Sequence, residues 1–323
     1  MVKNLNTFLS GIFLVFLLFF SLILALSKQF SSLVSDGINL WFAVVVPSLF
    51  PYFFITTILS SLKATSKLSN AISPLTRKLF NVNGAVGYAF FMSVLCGYPV
   101  GAKLVCDLKE KGVISQSESV RASVLCSTSS PMFLINSVGG LMFNDTSFGI
   151  ILFACHLLCA IILGFIFSFY KRKEKPSNTT FSHTINVDNI LYESAYSAVI
   201  SILVVGAIIT IFYTLSHVLF ALNILSPITS VISFIIQDEG VAKGLTLGAF
   251  ECTQGLKQLS ICGLKLKALP YCSFICGFGG VSVLMQSLAY LKKAKIKTAP
   301  FVLSKCFSAV LNFIVCYIIC LLV

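Results

Sequence analysis

The sequence predicts an all-α polytopic membrane protein with about seven transmembrane helices and two re-entrant hairpins, arranged as two inverted-topology repeats. Hydrophobic residues make up 57% of the 323 residues, charged residues make up only 11%, and the mean hydropathy is +0.96. Soluble domains carry about a quarter charged residues. The 23 Lys and Arg against 11 Asp and Glu fall in short clusters between apolar runs, which is typical of loops that set membrane orientation and does not indicate nucleic-acid binding.

The chain opens with two predicted spans and a surface helix. Phe8 to Leu26 is long enough to cross a bilayer and no small-residue cleavage site follows it, so we expect a retained transmembrane helix within residues 1–29. Trp41 to Leu62 contains two prolines and predicts a kinked second span. Between residues 63 and 83, basic residues recur at helical spacing among leucine and isoleucine, which predicts an amphipathic helix at the membrane surface.

A break in the next apolar run is the strongest feature of the first half. Residues 96–103 read Cys-Gly-Tyr-Pro-Val-Gly-Ala-Lys. A regular helix cannot continue here, because proline lacks an amide donor and glycine adds backbone freedom. At membrane depth such a break is tolerated where its backbone groups are buried in protein or line a wet cavity. We therefore predict a hairpin near residues 84–106.

Two further spans complete a first repeat over residues 38–170. A charged loop from Asp107 to Arg121 leads to a third span, Val124 to Phe143. This span opens with Cys-Ser-Thr-Ser-Ser-Pro at residues 126–131, which is unusually polar for a helix in lipid. Phe148 to Tyr170 then predicts a fourth span.

The second half, residues 189–323, has the same order of parts and follows a hydrophilic cytoplasmic linker at 171–188. Its predicted parts are a fifth span at Ala195 to Leu219, a hairpin near 240–262, a sixth span at Ala268 to Leu291 and a last span at Ala299 to Val323. Both hairpins contain Gly-x-Lys, at Gly101 and at Gly255, about 150 residues apart. The alternative explanation is that unrelated membrane helices share a similar composition.

Charge distribution predicts that the two hairpins enter the membrane from opposite sides. With a cytoplasmic N-terminus, the basic clusters at 63–78, 103–121, 171–175 and 292–297 all lie inside the cell. The loop at residues 144–146, which has no Lys or Arg, then lies outside together with Asp238 and Glu239. The exceptions are Lys257, Lys265 and Lys267, which lie near the second hairpin on the outer face. If the first hairpin spanned the membrane fully, this bias would be lost.

Paired broken segments of this kind suggest a solute site near the middle of the membrane. The residues that we predict to line it are Gly97, Tyr98, Pro99, Gly101, Lys103, Ser127, Thr128, Ser129, Asn136, Glu251, Thr253, Gln254, Gly277, Gly279 and Gln286. Glu251 stands out, because an acid at membrane depth is costly and marks a coupling or substrate site by default.

Each of these residues also has a purely structural explanation. Glu251 can pair with Lys257 or Lys265 at a shallow depth. Hydroxyl side chains commonly bond to their own helix backbone, amide side chains bridge helices, and glycines permit close helix packing. The sequence leaves both explanations open.

Enzymatic activity and metal binding are not expected. The sequence contains no His-Glu-x-x-His, no Gly-x-Ser-x-Gly and no phosphate loop. The twelve cysteines form no Cys-x-x-Cys and no paired framework, and within apolar helices cysteine behaves mostly as a small hydrophobe. We therefore predict no catalytic residues, no metal and no cofactor.

The motif at residues 97–103, the polar run at 126–131 and the Trp-containing segment at 40–51 resemble the sporulation integral membrane protein family of the YlbJ type. That family carries nucleoside-recognition, or Gate, domains, which also occur in spore maturation proteins and concentrative nucleoside transporters. The resemblance covers about residues 38–323. It implies a role in endospore formation, including the building of the cortex. The first hairpin here lacks the acidic groups that those transporters use.

Together these features predict a transporter-like membrane protein of spore formation that moves or senses a small polar solute, nucleoside-like by resemblance. A coupling cation or proton, a homo-oligomer and other sporulation membrane proteins are candidate partners, besides the lipid bilayer. The alternative function is a scaffold that does not transport and recruits cortex-building proteins through its basic cytoplasmic loops.

Overall fold

The computed structural model describes residues 27–61, 64–177 and 189–322. Within these ranges every regular element is helical and no strand occurs, which confirms the all-α prediction there. The predicted helix from Phe8 to Leu26 and the linker residues 178–188 lie outside the described ranges.

The helices follow one another with short connections. In chain order the α-helices are α1 Ser27–Leu40, α2 Val46–Ser61, α3 Ala64–Phe80, α4 Gly84–Cys96, α5 Val100–Glu110, α6 Gln116–Leu125, α7 Thr146–Phe167, α8 Ile190–Ala221, α9 Ser226–Ile236, α10 Glu239–Phe250, α11 Cys252–Ser260, α12 Leu269–Phe278, α13 Gly280–Lys293 and α14 Ala299–Leu322. A π-helical turn, Trp41–Val45, joins α1 to α2, a π-helix covers Met132–Met142, and a 3₁₀ turn covers Lys265–Ala268.

The protein crosses the membrane several times. In the described part, five stretches are long and apolar enough to span a bilayer, namely Phe30–Leu59, Thr146–Phe167, Ile190–Ala221, Leu266–Lys293 and Ala299–Leu322. A sixth candidate is the bent pair Ser69–Phe80 and Gly84–Cys96, whose axes differ by 94°. The chain is therefore a multi-pass membrane protein.

Each half of the chain contains two short helices separated by a break, and we call each such pair a hairpin. Helices α4 and α5 are joined by Gly97, Tyr98 and Pro99, and Gly97 has a φ of +75°, a conformation that favours glycine. Helices α10 and α11 are joined by Glu251 alone, which is extended at φ −142° and ψ 122°.

The predicted charged loop in the first half is wrong. The charged loop expected from Asp107 to Arg121 is mostly helical, because α5 runs to Glu110 and α6 begins after Ser115. Ser115 caps α6 together with Glu118 in a reciprocal capping box, so the charges lie on helices rather than in a loop.

The spans that follow the two hairpins are interrupted. The predicted third span is split by non-helical residues 126–130, which lie between α6 and the π-helix. The predicted sixth span is split at Gly279, which has a φ of +85° and separates α12 from α13. In both cases polar or glycine residues interrupt the helix next to a hairpin tip.

The start of the predicted linker is fixed to the first half. The backbone amide of Ser177 donates to the buried carboxylate of Glu118 at 3.2 Å, and the Ser177 hydroxyl donates to the carbonyl of Val113. The backbone carbonyl of Ser177 accepts from Arg77 and Asn83, both at 2.8 Å. These contacts tie residues up to 177 to α3, α4 and α6.

Candidate functional site

The first hairpin tip packs against the broken span of its own half. A Cβ atom added at Gly97 would lie 2.8 Å from the Ser130 amide nitrogen. At Gly101 it would lie 1.8 Å from the Cys126 carbonyl oxygen, which leaves no room for any side chain. The glycines of the sequence motif therefore allow the hairpin backbone to touch the polar run at residues 126–131.

The second hairpin tip makes the corresponding contact. A Cβ atom added at Gly280 would lie 3.0 Å from the Gly248 carbonyl oxygen and 3.1 Å from the Cys252 amide nitrogen. Gly255 packs against Gly248, because its added Cβ would lie 2.3 Å from the Gly248 Cα atom. Close backbone packing thus joins α10, α11 and the break between α12 and α13.

Hydrogen bonds hold the polar run in place. Ser93 donates to the Cys126 carbonyl at 2.6 Å, and its hydroxyl lies 2.7 Å from that of Thr128. The Ser129 amide donates to Nε2 of the buried His156 at 3.0 Å. These bonds join the polar run to Ser93 of α4 and to His156 of α7, and so they position its backbone.

Tyr98 and Lys305 join the two halves at the first hairpin tip. The ammonium of Lys305 lies 3.1 Å from the Tyr98 oxygen, 4.4 Å from the centre of the Tyr98 ring and 3.3 Å from the Ser127 hydroxyl. The Tyr98 hydroxyl donates to the Cys276 carbonyl at 3.2 Å. Lys305 is only 2% exposed, and the ion pair found among the described residues lies elsewhere, between Lys171 and Glu174.

Lys305 was missed in the sequence analysis, although a signal was present. It is a lysine within the apolar helix α14, and an ionisable residue inside a predicted span marks a functional site by default. The sequence does not show its partners, because Tyr98 and Ser127 lie far away along the chain.

Glu251 caps the second half of the other hairpin. Its two carboxylate oxygens accept from the amides of Thr253 at 3.0 Å and Gln254 at 2.8 Å. The side chain is 1% exposed, and Lys257 lies on the exposed face of α11, so the carboxylate is satisfied by backbone donors rather than by that lysine. A carboxylate at a helix N-terminus is stabilised by the free amides and by the helix dipole.

A small cavity of about 60 Å³, which we call the central cavity, lies between the two hairpin tips. The predicted site residues that line it are Gly97, Tyr98, Ser129, Glu251, Thr253 and Gln286. Apolar side chains from α2 and α8 complete its wall. Its volume suffices for a few water molecules or an ion in this conformation.

A larger cavity of about 550 Å³, which we call the vestibule, adjoins the first hairpin. It is lined by α2, α4, α5, α8 and α13, from Pro99 at the hairpin tip to Lys111 at the end of α5. Val205 and Gln286 line both cavities, so the vestibule ends where the central cavity begins. The volume lies in the range of small-molecule sites.

Three charged residues of the vestibule lie on successive turns of α5. They are Lys103, Asp107 and Lys111. Burial raises the pKa of the Asp107 carboxyl, while the two lysines act in the opposite direction. Cys106, Asp107 and Glu110 have donor atoms within 4.8 Å of one another, and Glu110 is exposed.

The remaining predicted residues lie outside both cavities. Asn136 is exposed, and its amide contacts Met132 on the same π-helix. Gln254 bonds the Leu247 carbonyl and Ser216, which ties hairpin α10–α11 to α8. Gly277 packs on α14, where an added Cβ would lie 2.7 Å from the Ser308 carbonyl.

Comparison with known proteins identifies one relevant relative. The chain is 28% identical to the Bacillus subtilis (strain 168) protein named "Sporulation integral membrane protein YlbJ". The alignment of 330 residues covers 94% of this chain and 80% of that protein. No protein-family model matches the chain. No solved structure matches it.

Proposed function

We propose that this chain is a sporulation membrane protein of the YlbJ type that passes a small solute between its two hairpins. The observation that carries the proposal is the junction of the vestibule and the central cavity at Gln286 and Val205, directly beside both hairpin tips. The similarity to the Bacillus subtilis protein along most of the chain supports the role in sporulation.

We propose further that the two halves are inverted repeats. The order of elements is the same in both halves. Hairpin α4–α5 corresponds to hairpin α10–α11, and α7 corresponds to α14. The broken span between them is made of α6 and the π-helix in the first half and of α12 and α13 in the second. Three full spans between the starts of the halves would invert the second. Rocking of one half against the other would then expose the central cavity to alternate sides.

The solute would pass from the vestibule to the central cavity through the hairpin tips. The vestibule is large enough for a nucleoside-sized molecule, whereas the central cavity is not. Transport therefore requires the tips to separate, and the Lys305–Tyr98 contact would have to break. Glu251, an acid beside the central cavity, is the candidate site for a coupling cation or proton.

Complementation in an endospore-forming host that lacks its own copy tests transport against the scaffold alternative. Under the transport proposal, Glu251→Gln abolishes heat-resistant spores while the protein stays at normal level in the membrane. A scaffold would tolerate this change and would fail when the exposed basic residues Lys173 and Lys175 are changed to Gln. Basic loops also bind anionic lipid. A sporulation defect of the loop variant therefore supports the scaffold alternative only if the variant also loses a protein partner in a pull-down.

A further inference from the structure

We propose that the vestibule binds an amphipathic organic anion, with its charged group held by Lys103 and Gln286 and its apolar part lying along α8. The inference rests on the proposed function and deepens it, because it names the chemical class of molecule that this pathway accepts. Three independent features of the vestibule lead to it.

The first feature is a cation that makes no direct ion pair. Lys103 lines the vestibule in the first turn of α5 and is partly buried. In the described part of the chain the direct ion pair is Lys171–Glu174, so the ammonium of Lys103 makes no direct ion pair with Asp107, although the two charges interact across one turn of α5.

The second feature is a buried amide that has no partner. Gln286 is 5% exposed, lines both cavities, and makes no hydrogen bond with the described residues. Its polar atoms are not among the fully shielded, unsatisfied ones of the described residues, so the amide is accessible from the cavities and can bond a ligand there. Its NH₂ group can donate to a carboxylate or phosphate oxygen.

The third feature is the apolar wall opposite these groups. Val204, Ile208 and Phe212 of α8 and Met285 of α13 line the vestibule. Val204 is 50% exposed and Met285 is 53% exposed, although both face the cavity. These apolar side chains are therefore accessible in the vestibule and can contact the apolar part of a ligand.

The dimensions agree with an elongated ligand. From Pro99 to Lys111 the cavity follows twelve residues of backbone, which is about 18 Å at the rise of an α-helix. The charged residues on this wall are Lys103, Asp107 and Lys111, with Glu110 and Lys293 near Asp107. A purely polar solute would leave most of the wall without a partner.

Binding of decanoate tests the proposal. The full-length protein is placed in nanodiscs of zwitterionic lipid, and binding of radiolabelled decanoate is measured in competition with decyl phosphate, decanol and inorganic phosphate. We expect saturable binding that decyl phosphate displaces and that decanol and inorganic phosphate displace at least tenfold more weakly. The carboxylate and phosphate arms distinguish the two sources of negative charge.

Variants identify the site. Lys103→Gln and Gln286→Leu should each weaken decanoate binding at least tenfold, which corresponds to about 1.4 kcal/mol of binding free energy. The matched control is Lys257→Gln, which removes the lysine of the second Gly-x-Lys motif from an exposed surface and should leave binding unchanged. Size-exclusion profiles and helical content confirm that each variant is folded.

Several results would overturn the inference. Equal affinity for decanol would exclude an anion site, and full competition by inorganic phosphate would exclude an amphipathic ligand. Unchanged binding by Lys103→Gln would exclude the location. Failure of the proposed function can be distinguished, since decanoate binding requires no transport. If the protein binds decanoate but Glu251→Gln still forms normal spores, the pathway alone is rejected. If Glu251→Gln has defective spores but the protein does not bind decanoate, this inference alone is rejected.

Discussion

The ammonium of Lys305 contacts both the hydroxyl and the ring face of Tyr98, although 207 residues separate them along the chain. Lys305 belongs to the last helix and Tyr98 to the tip of the first hairpin. This contact therefore ties the first hairpin to the second half of the protein. It has to break if the two halves move against each other.

Replacing Lys305 with an apolar residue should impair spore formation without lowering the stability of the protein. A buried charge without a carboxylate partner is costly, so an apolar residue of similar length is expected to be neutral or stabilising. Lys305→Met should keep or raise the thermal unfolding temperature and yet abolish heat-resistant spores. Unfolding in detergent and a spore count measure the two effects. Normal spore numbers would contradict a functional role for this lysine.

Gly101 should tolerate no side chain. Gly101→Ala places a methyl group against the Cys126 backbone carbonyl, and neither backbone can move without breaking the contact between hairpin and polar run. We expect a loss of at least ~3 kcal/mol in unfolding free energy, seen as poor expression or a much lower unfolding temperature. Gly140→Ala is the control, because its nearest atom would be 3.7 Å away.

Glu251 has a structural and a proposed functional role that two variants separate. Glu251→Ala removes both acceptors of the α11 cap and should cost about 0.5 to 2 kcal/mol of stability. Glu251→Gln keeps one acceptor and should cost less. If both variants fold and only the loss of stability correlates with spore loss, the acid acts as a cap and not as a coupling site.

Anion binding in the vestibule should strengthen as the pH falls. Burial raises the pKa of the Asp107 carboxyl, so on acidification this carboxylate loses its charge at a higher pH than an ordinary aspartate does, and it then no longer offsets the positive charge of Lys103. A decyl sulfonate probe, whose charge is fixed, should therefore bind more tightly at pH 5 than at pH 7.5.

Asp107→Asn provides the control for this pH dependence. This variant should bind the sulfonate about fivefold more tightly at pH 7.5, which corresponds to about 1 kcal/mol of binding free energy. Its affinity should also change much less between pH 5 and pH 7.5. An unchanged pH profile in this variant would assign the effect to another group.

The elements that depend on local chemistry were predictable from the sequence. Glycine and proline at Gly97 and Pro99 break the helix between α4 and α5. The polar run after Cys126 was recognised as unusual for a helix in lipid, but the interruption that it makes in the span was not predicted. The start of α6 after Ser115 was also predictable, because Ser-x-x-Glu is a capping-box pattern. The density of charged residues there led to the prediction of a loop instead.

The contacts between distant residues were not predictable. Periodicity and composition describe one helix at a time, so they cannot place Lys305 beside Tyr98 or bring Gln286 to the junction of two cavities. They also cannot show that Asn136 is exposed, since an amide within an apolar run looks the same on either face. These facts depend on how the helices pack.

The most direct test of the pathway is labelling of single cysteines at Val100 and Thr253 in a cysteine-free protein, with a water-soluble thiol reagent applied to each side of the membrane. Val100 lines the vestibule, whereas Thr253 is buried at the central cavity. The account predicts labelling of Val100 from the cytoplasmic side and slower labelling of Thr253 from the opposite side only. Labelling of both from the same side, or of neither from any side, would contradict two opposed hairpins that enclose a pathway.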